Sequence, residues 1–406
     1  MVPHSSETPL PAHLPVPNEL VAKITNYADV ADLPALRLSC KVLSQSVFDR
    51  FARSYFSERR HRYSRSSLQA LIDTTAHPTL GPFVQTVMLD SSRVVGDVLI
   101  PLSQHHPMDK ATKEMLQRCR DQIDLDESDS ALTLLEQAFK NIKVHGSDVE
   151  IGFFQSLVGT GKNLRLQCYD DQHFCRFMPR KDIVEERSSE TLALLSIAAT
   201  NMGCEVFSMT CRTQARDRDT GSALAQHDLR GLFSRLETAS WHIDIQLSRS
   251  EWPSTNAWYT MVTEARNLQS LRLSMTRDSS FSSSNRILRS ISGTRMTGLQ
   301  DLVLEHICTS SSSMIQMIDS LGSTLQELTL DDVCLDLETL CHWVKIFKCI
   351  ARNTQVKRLN LRALSTYYDH RQEEIVVVND ARHRSLLNLH QHDNELSVLG
   401  SQLHMP

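Results

Sequence analysis

The chain is poor in glycine and proline, with 13 of each in 406 residues. That scarcity excludes collagen-like and long low-complexity segments. Long apolar runs are missing as well. The longest β-branched run is IVVV at 375–378, far short of the roughly 18 apolar residues that suggest a membrane span. Charge of one sign does not dominate, since 43 Lys and Arg face 48 Asp and Glu for a formal net charge of −5. Nothing attracts a polyanion globally, so nucleic acid is not an expected partner. Ten cysteines occur without one CxxC pair; Cys168 and Cys175, Cys204 and Cys211, and Cys334 and Cys341 each stand seven apart. A chain this long does not need staples, so reduced thiols in the cytoplasm or nucleus are expected. The opening MVPHSSETPLPAH has neither the cationic nor the apolar region of a secretory signal.

Catalytic constellations are equally scarce. GTGK at 159–162 suggests a phosphate loop, but Ser156 and Asn163 stand where that motif requires glycine and a hydroxyl residue. Leu164, Leu166 and Cys168 then alternate as a strand, whereas a phosphate loop opens a helix. Neither HExxH nor GxSxG occurs. His390, His392 and Asp393 lie in a polar terminal segment, and neither they nor His173 and Cys175 form a closed zinc ligand set. The expectation is a chain that is not an enzyme and holds no cofactor or metal.

Leucine is abundant, at 52 residues. Residues 1–13 are unpatterned and read as a disordered tail. Pro15 and Pro17 then precede a helix with Leu20, Ile24 and Tyr27 on one face. Asp32 is placed to cap a second helix, in which Leu33, Leu36, Cys40, Leu43 and Val47 form a stripe and Leu38 and Val42 lie off it. Some 40 residues cannot bury apolar surface on two sides of one helix. The surplus must pack on the rest of the chain or on another protein.

Residues 14–48, LPVPNELVAKITNYADVADLPALRLSCKVLSQSVF, resemble an F-box. The resemblance is carried by Leu14 and Pro15, Glu19 and Leu20, Ile24, Asp32 and Leu33, and the core Leu36, Arg37, Leu38, Cys40 and Lys41. Tyr27 replaces a usual leucine, and Leu43 stands where an aromatic residue is frequent. The resemblance implies docking on a Skp-family adaptor, and through it on a cullin. The implied contact residues are Leu14, Pro15, Pro17, Leu20, Ile24, Leu33, Leu36, Leu38, Cys40, Val42 and Leu43. The segment YFSERRHRYSRSSLQALIDTTAHPTLGPFVQTVMLD is also similar to fungal F-box proteins. Arg59, Arg60, Arg62 and Arg65 read as a solvated linker helix, with a localisation signal as the alternative, and Ser66 and Ser67 as caps for the helix carrying Leu68, Leu71 and Ile72.

A unit L-x-x-L-x-L recurs downstream. Leu268, Leu271 and Leu273 fit it, as do Leu299, Leu302 and Leu304; Leu325, Leu328 and Leu330; and Val356, Leu359 and Leu361. Weaker copies are Cys204, Phe207 and Met209; Leu236, Ala239 and Trp241; and Val84, Val87 and Leu89. First positions 204, 236, 268, 299, 325 and 356 are 32, 32, 31, 26 and 31 apart. Helical stretches at 256–266, 313–321 and 338–352 separate the copies. One strand and one helix per repeat resembles the leucine-rich-repeat solution, in which stacked units share one core. An ordinary α/β domain with leucine-rich strands is the alternative.

The expected fold class is α/β: an F-box helical module at 14–50, a helical linker at 51–80, and an irregular leucine-rich-repeat-like solenoid at 81–365. An exposed acidic insertion loop is expected near 118–130, and a cap or tail at 366–406. Side chains between the leucines should face the concave surface: Ser270, Arg272 and Ser274; Asp301, Val303 and Glu305; Glu327, Thr329 and Asp331; Arg358, Asn360 and Arg362. Arg272, Asp301, Glu305, Glu327, Asp331, Arg358 and Arg362 are the candidate target-binding residues: four carboxylates bordered by arginines, which read as solvated strand charge or as an acidic recognition patch for a basic segment of a partner. The expected function is substrate recognition in an SCF-type (Skp–cullin–F-box) ubiquitin ligase. A repeat scaffold without a ligase role is the alternative.

Overall fold

The computed structural model describes residues 17–94, 110–146, 148–154, 184–214, 229–244, 261–275, 281–293, 296–336, 340–353, 355–368 and 371–375. Leu14, Pro15, GTGK with its flanking strand, His173, Cys175, His390, His392 and Asp393 lie outside the described residues.

Pro17 holds the N-cap position of helix α1, Asn18–Tyr27, and its carbonyl accepts from the N–H groups of Leu20 and Val21 at 3.0 and 3.1 Å. The expected second helix is two helices, α2, Leu33–Ser39, and α3, Lys41–Phe56. They are divided by extended Cys40, at φ −160° and ψ 163°. The break puts the stripe residues Leu33 and Val47 on different helices; both are buried at 0% exposure, while Leu38, off the stripe, stays in water. Leu38 and Val42 consequently belong to different helices. Asp32 occupies the N-cap position of α2 without a side-chain capping bond.

The expected linker helix is in part a strand, β1, Glu58–His61. Helix α4, Arg65–Ala76, is capped by Ser64, which accepts from Ser67 N–H, and not by Ser66 or Ser67. Then follow β2 (Thr86–Asp90), β3 (Ser92–Val94), α5 (Lys110–Glu127), α6 (Ser130–Val144), β4 (Glu150–Phe154), β5 (Val184–Glu186) and α7 (Ser188–Asn201). The acidic stretch at 118–130 is not a loop: most of it is the end of α5, with Cys119 and Leu125 buried at 1% exposure. Its acidic residues point outward while the cysteine and leucine face in, so charge density alone misreads an amphipathic helix.

The chain continues with β6 (Ser208–Gln214), β7 (Thr238–Asp244), β8 (Ser270–Met275), α8 (Phe281–Ser292), β9 (Asp301–Glu305), β10 (Cys308–Thr309) and α9 (Ser311–Leu321). It closes with β11 (Glu327–Asp331), β12 (Cys334–Asp336), α10 (Leu340–Asn353), β13 (Arg358–Arg362), β14 (Leu364–Tyr368) and β15 (Arg371–Ile375). The molecule is thus mixed α/β. Nine strands form one parallel sheet in the order β1-β2-β4-β6-β7-β8-β9-β11-β13. A smaller sheet runs β10-β12-β14-β15, with β15 antiparallel to β14. The 365/366 boundary expected for the tail therefore falls inside a strand. No helix among the described residues is long and apolar enough to cross a membrane.

Register explains the large sheet. Ala239, Leu271, Leu302, Leu328 and Leu359 are successive partners, as are Trp241, Leu273, Leu304, Leu330 and Leu361. Both rows enter the main core with helix residues Leu288, Met317, Ile318 and Trp343. One expected copy shifts by two residues: Met209 pairs with Ala239 and Cys211 with Trp241, so the unit is Val206, Met209, Cys211. Cys204 still belongs to the exit turn of α7, its N–H bonded to Ala199 carbonyl at 2.9 Å beside left-handed Gly203. A further copy, Ile151 and Phe153 on β4, lies between β2 and β6.

Gly152 marks the tightest approach in the sheet. A Cβ there would sit 1.8 Å from the Thr210 carbonyl oxygen on β6, which is backbone and cannot yield cheaply. Gly152→Ala is expected to cost about 3 kcal/mol in urea unfolding, at the upper end of overpacking effects. Gly231→Ala, with nothing within 4 Å of its Cβ, should leave stability unchanged or slightly raised. Equal midpoints for the two variants would show that β4 and β6 tolerate the methyl group.

Candidate functional site

Two surfaces combine unusual chemistry with an ordered framework. The first is the apolar side of the amino-terminal helices. Leu20 is 49% exposed, Ile24 52% and Leu38 88%. Tyr27 and Val30, outside the implied contact residues, extend the same module's exposed apolar surface. Leu36, Cys40, Val42 and Leu43 are half-buried, while Leu33 is fully buried and so supports the module from inside. The scaffold beneath is specific. The Arg37 guanidinium lies 4.0 Å from the Phe51 ring centroid, Tyr55 hydroxyl donates to Val30 carbonyl at 2.9 Å, and Phe48 meets Phe83 edge-on at 6.1 Å. The last contact ties the module to the turn that leads into β2.

The second surface is the face of the nine-stranded sheet opposite the leucines. Ser270, Asp301, Glu327 and Arg358 form one row, and Arg272, Val303, Thr329 and Asn360 the next. Ser274, Glu305, Asp331 and Arg362 form the third. Strands β9 and β11 alternate between half-buried and buried residues along their length. The carboxylates do not stand as an open acidic patch. Arg272 Nε donates to Glu305 at 3.1 Å, Arg358 pairs with Glu327, and Arg362 lies 3.7 Å from Asp331. Three arginines thus answer four carboxylates across neighbouring strands.

This face continues across β2, β4 and β6, where sequence reading found no site. Glu150 accepts hydrogen bonds from the hydroxyls of Thr86 at 2.8 Å, Ser208 at 3.2 Å and Thr210. Arg212 lies 3.9 Å from Glu58, which also pairs with Arg60. Burial and the neighbouring Arg60 charge lower the Arg212 pKa. Ser208 and Thr210 lie opposite Met209 in either register of the Cys204 copy, but its first and second positions are not leucine, and at the Ile151 copy Asp148 fills the first position. One signal was readable: Gln269, Gln300 and Gln326 each follow the first leucine of a unit, and Lys357 Nζ donates to Gln326 Oε1 at 3.2 Å.

Between the two surfaces lies a buried polar joint. Three of the four arginines expected to be solvated are drawn inward, with Arg62 only 8% exposed and Arg59 and Arg60 half-buried, while Arg65 is exposed. Tyr63 hydroxyl donates to Asp126 on α5, and burial raises its pKa. The Arg93 guanidinium lies 3.6 Å from the Tyr63 ring centroid and donates to the Asp90 carbonyl at 2.7 Å and Thr191 hydroxyl at 3.1 Å. Desolvation lowers the Arg93 pKa. His61 is buried, with Nδ1–H donating to the Ser67 carbonyl at 2.8 Å. Burial foremost, then the Arg59 charge, holds its pKa down at about 3.

No family model matches the chain, and no curated protein does. Among solved structures, the chain matches the crystal structure of D-psicose 3-epimerase in the presence of D-fructose. Identity is 8% and the TM-score 0.20, over 75% of this chain and 82% of the other. The expectation that the chain is not an enzyme is withdrawn, since these comparisons give it no support. A TM-score of 0.20 carries no argument for an activity or a fold either.

Two outcomes follow for stability. An unfolded histidine takes up its proton near pH 6.5, but folded His61 does so only near pH 3. The unfolded state therefore binds more protons in that window, and stability falls as pH drops through it. Between pH 7.5 and 5.0, wild type should lose about 2 kcal/mol more than His61→Asn in urea titrations, at 1.36 kcal/mol per unit. Parallel losses would exclude a buried neutral His61. For the pair of exposed Arg272 and half-buried Glu305, Arg272→Glu should cost about 1 kcal/mol, and the swap Arg272→Glu with Glu305→Arg should recover most of it. No recovery in the double variant would mean that the pair is not coupled.

Proposed function

We propose that the chain is the substrate-recognition subunit of an SCF-type ubiquitin ligase. Its F-box-like module would dock on a Skp-family adaptor and through it on a cullin. The observation that carries this reading is the exposure of Leu20, Ile24 and Leu38 on a module whose Val21, Leu33 and Val47 are buried. Monomeric proteins seldom leave several large apolar side chains of one small module in water without a partner. These three also stand at positions that match the F-box pattern.

In the same reading, the in-register leucine strands and their intervening helices stack as an irregular leucine-rich-repeat-like solenoid. Its charged face holds a protein target for ubiquitination and degradation, in the cytoplasm or nucleus. Arg272, Asp301, Glu305, Glu327, Asp331, Arg358 and Arg362 are the proposed target-binding residues. Because most of the carboxylates already have arginine partners, the target must exchange ion pairs and not merely supply positive charge. Such exchange gives register and specificity more than raw affinity.

The test is co-expression with a Skp-type adaptor followed by co-purification. Wild type is expected to retain the adaptor. Leu20→Ala with Ile24→Ala and Leu38→Ala should bind roughly 100-fold more weakly, at about 1 kcal/mol per truncated side chain. These side chains are exposed, so an unchanged circular dichroism spectrum and melting temperature are expected alongside. Failure of wild type to retain the adaptor would overturn the docking reading and leave a repeat scaffold without a ligase role.

A further inference from the structure

Among the described cysteines, Cys119, Cys204, Cys211 and Cys349 are buried. Cys204 Sγ donates to the Phe139 carbonyl at 3.5 Å and Cys349 Sγ to Asp319 Oδ1 at 2.9 Å. Half-buried Cys40 stands apart, between α2 and α3. Cys334 Sγ likewise donates to the Leu335 carbonyl at 3.8 Å, but Cys308 and Cys334 differ from the others in position. Both are half-buried thiols, and they are Cα partners at the first positions of the parallel strands β10 and β12. Partners in register point to the same side of a sheet. Hydrogen-bonded strands stand about 4.8 Å apart, inside the Cα window of about 4.4–6.8 Å that a disulfide spans.

We propose that Cys308 and Cys334 form a reversible thiol–disulfide switch, operated by a low-molecular-weight disulfide of the glutathione class. The thiolate of one cysteine attacks the oxidised small molecule, making a mixed disulfide and releasing one small-molecule thiolate. The thiolate of the other cysteine attacks the protein sulfur of that mixed disulfide and releases the second. The protein gives up two protons and two electrons, and the small disulfide is reduced to two thiols. A relaxed bridge wants its Cβ atoms about 3.8 Å apart. Partners on parallel strands begin about 1 Å wider than that. The two-residue β10 and three-residue β12 are short enough to close the gap. A bridge formed this way is strained and partly accessible, which makes it easily reduced and suits a switch better than a permanent staple. Closed, it pins together the turns at His306 and Asp332, already linked by Nδ1 to Oδ2 at 2.8 Å. Those turns follow directly on Glu305 and Asp331 at the ends of β9 and β11.

The experiment treats the full-length folded protein with oxidised glutathione, alkylates remaining thiols under denaturing conditions, and digests with a glutamate-specific protease. Cleavage after Glu305, Glu327 and Glu338 separates residues 306–327, with Cys308, from 328–338, with Cys334. The expected product is these two peptides joined by a disulfide that dithiothreitol opens, with a loss of two titratable thiols per chain. In Cys334→Ser the joined product should vanish and Cys308 should carry glutathione instead. Recovery of both wild-type peptides separately, alkylated or glutathionylated, would overturn the proposal.

Discussion

The large sheet depends on one constraint: apolar residues two apart on each strand must stand in register with those on the next. Trp241, Leu273, Leu304 and Leu330 meet that constraint on successive strands, and each is buried at 1% exposure or less. A single strand could not hide such a row. Parallel neighbours close it from both sides, and helix residues such as Met317 and Trp343 cover it from above. The cost of a misfit falls on backbone spacing, which is why Gly152 is held to a bare Cα against Thr210.

The same alternation disposes of the charges. When leucines face the helices, the residues between them must share the opposite face. There Arg272, Arg358 and Arg362 find Glu305, Glu327 and Asp331 on adjacent strands. Stacking also places Cys308 beside Cys334 in the smaller sheet. Local sequence distance predicts neither kind of neighbour, because each partner lies roughly one repeat away along the chain. The amino-terminal helices obey a different logic. They bury one apolar side inward and leave Leu20, Ile24 and Leu38 in water, and the proposed docking function rests on that imbalance.

Legibility varied with how much of a signal is local. The strong copies at Leu268, Leu299, Leu325 and Val356 were readable because three apolar residues recur with fixed spacing. The copy at Val206 was misplaced because Cys204 and Phe207 satisfy the same spacing, and only the exit turn of α7 decides between them. The acidic run at 118–130 misled because its helical face is set by Cys119 and Leu125, two residues among many charges. Strand β1 was missed because Glu58, Arg59 and Arg60 carry no strand pattern of their own, and their strand comes from pairing with β2.

By itself, the sequence determined the α/β character, the repeating leucine positions and the excess of apolar side chains near the amino terminus. Periodicity and composition are properties of the chain, and burial demands them in any compact fold. Only the tertiary structure decided the break at Cys40, the inward turn of the Arg59–Arg62 segment and the cross-strand ion pairs. Each of these depends on which distant residue arrives next to it, and that is fixed by strand order and register.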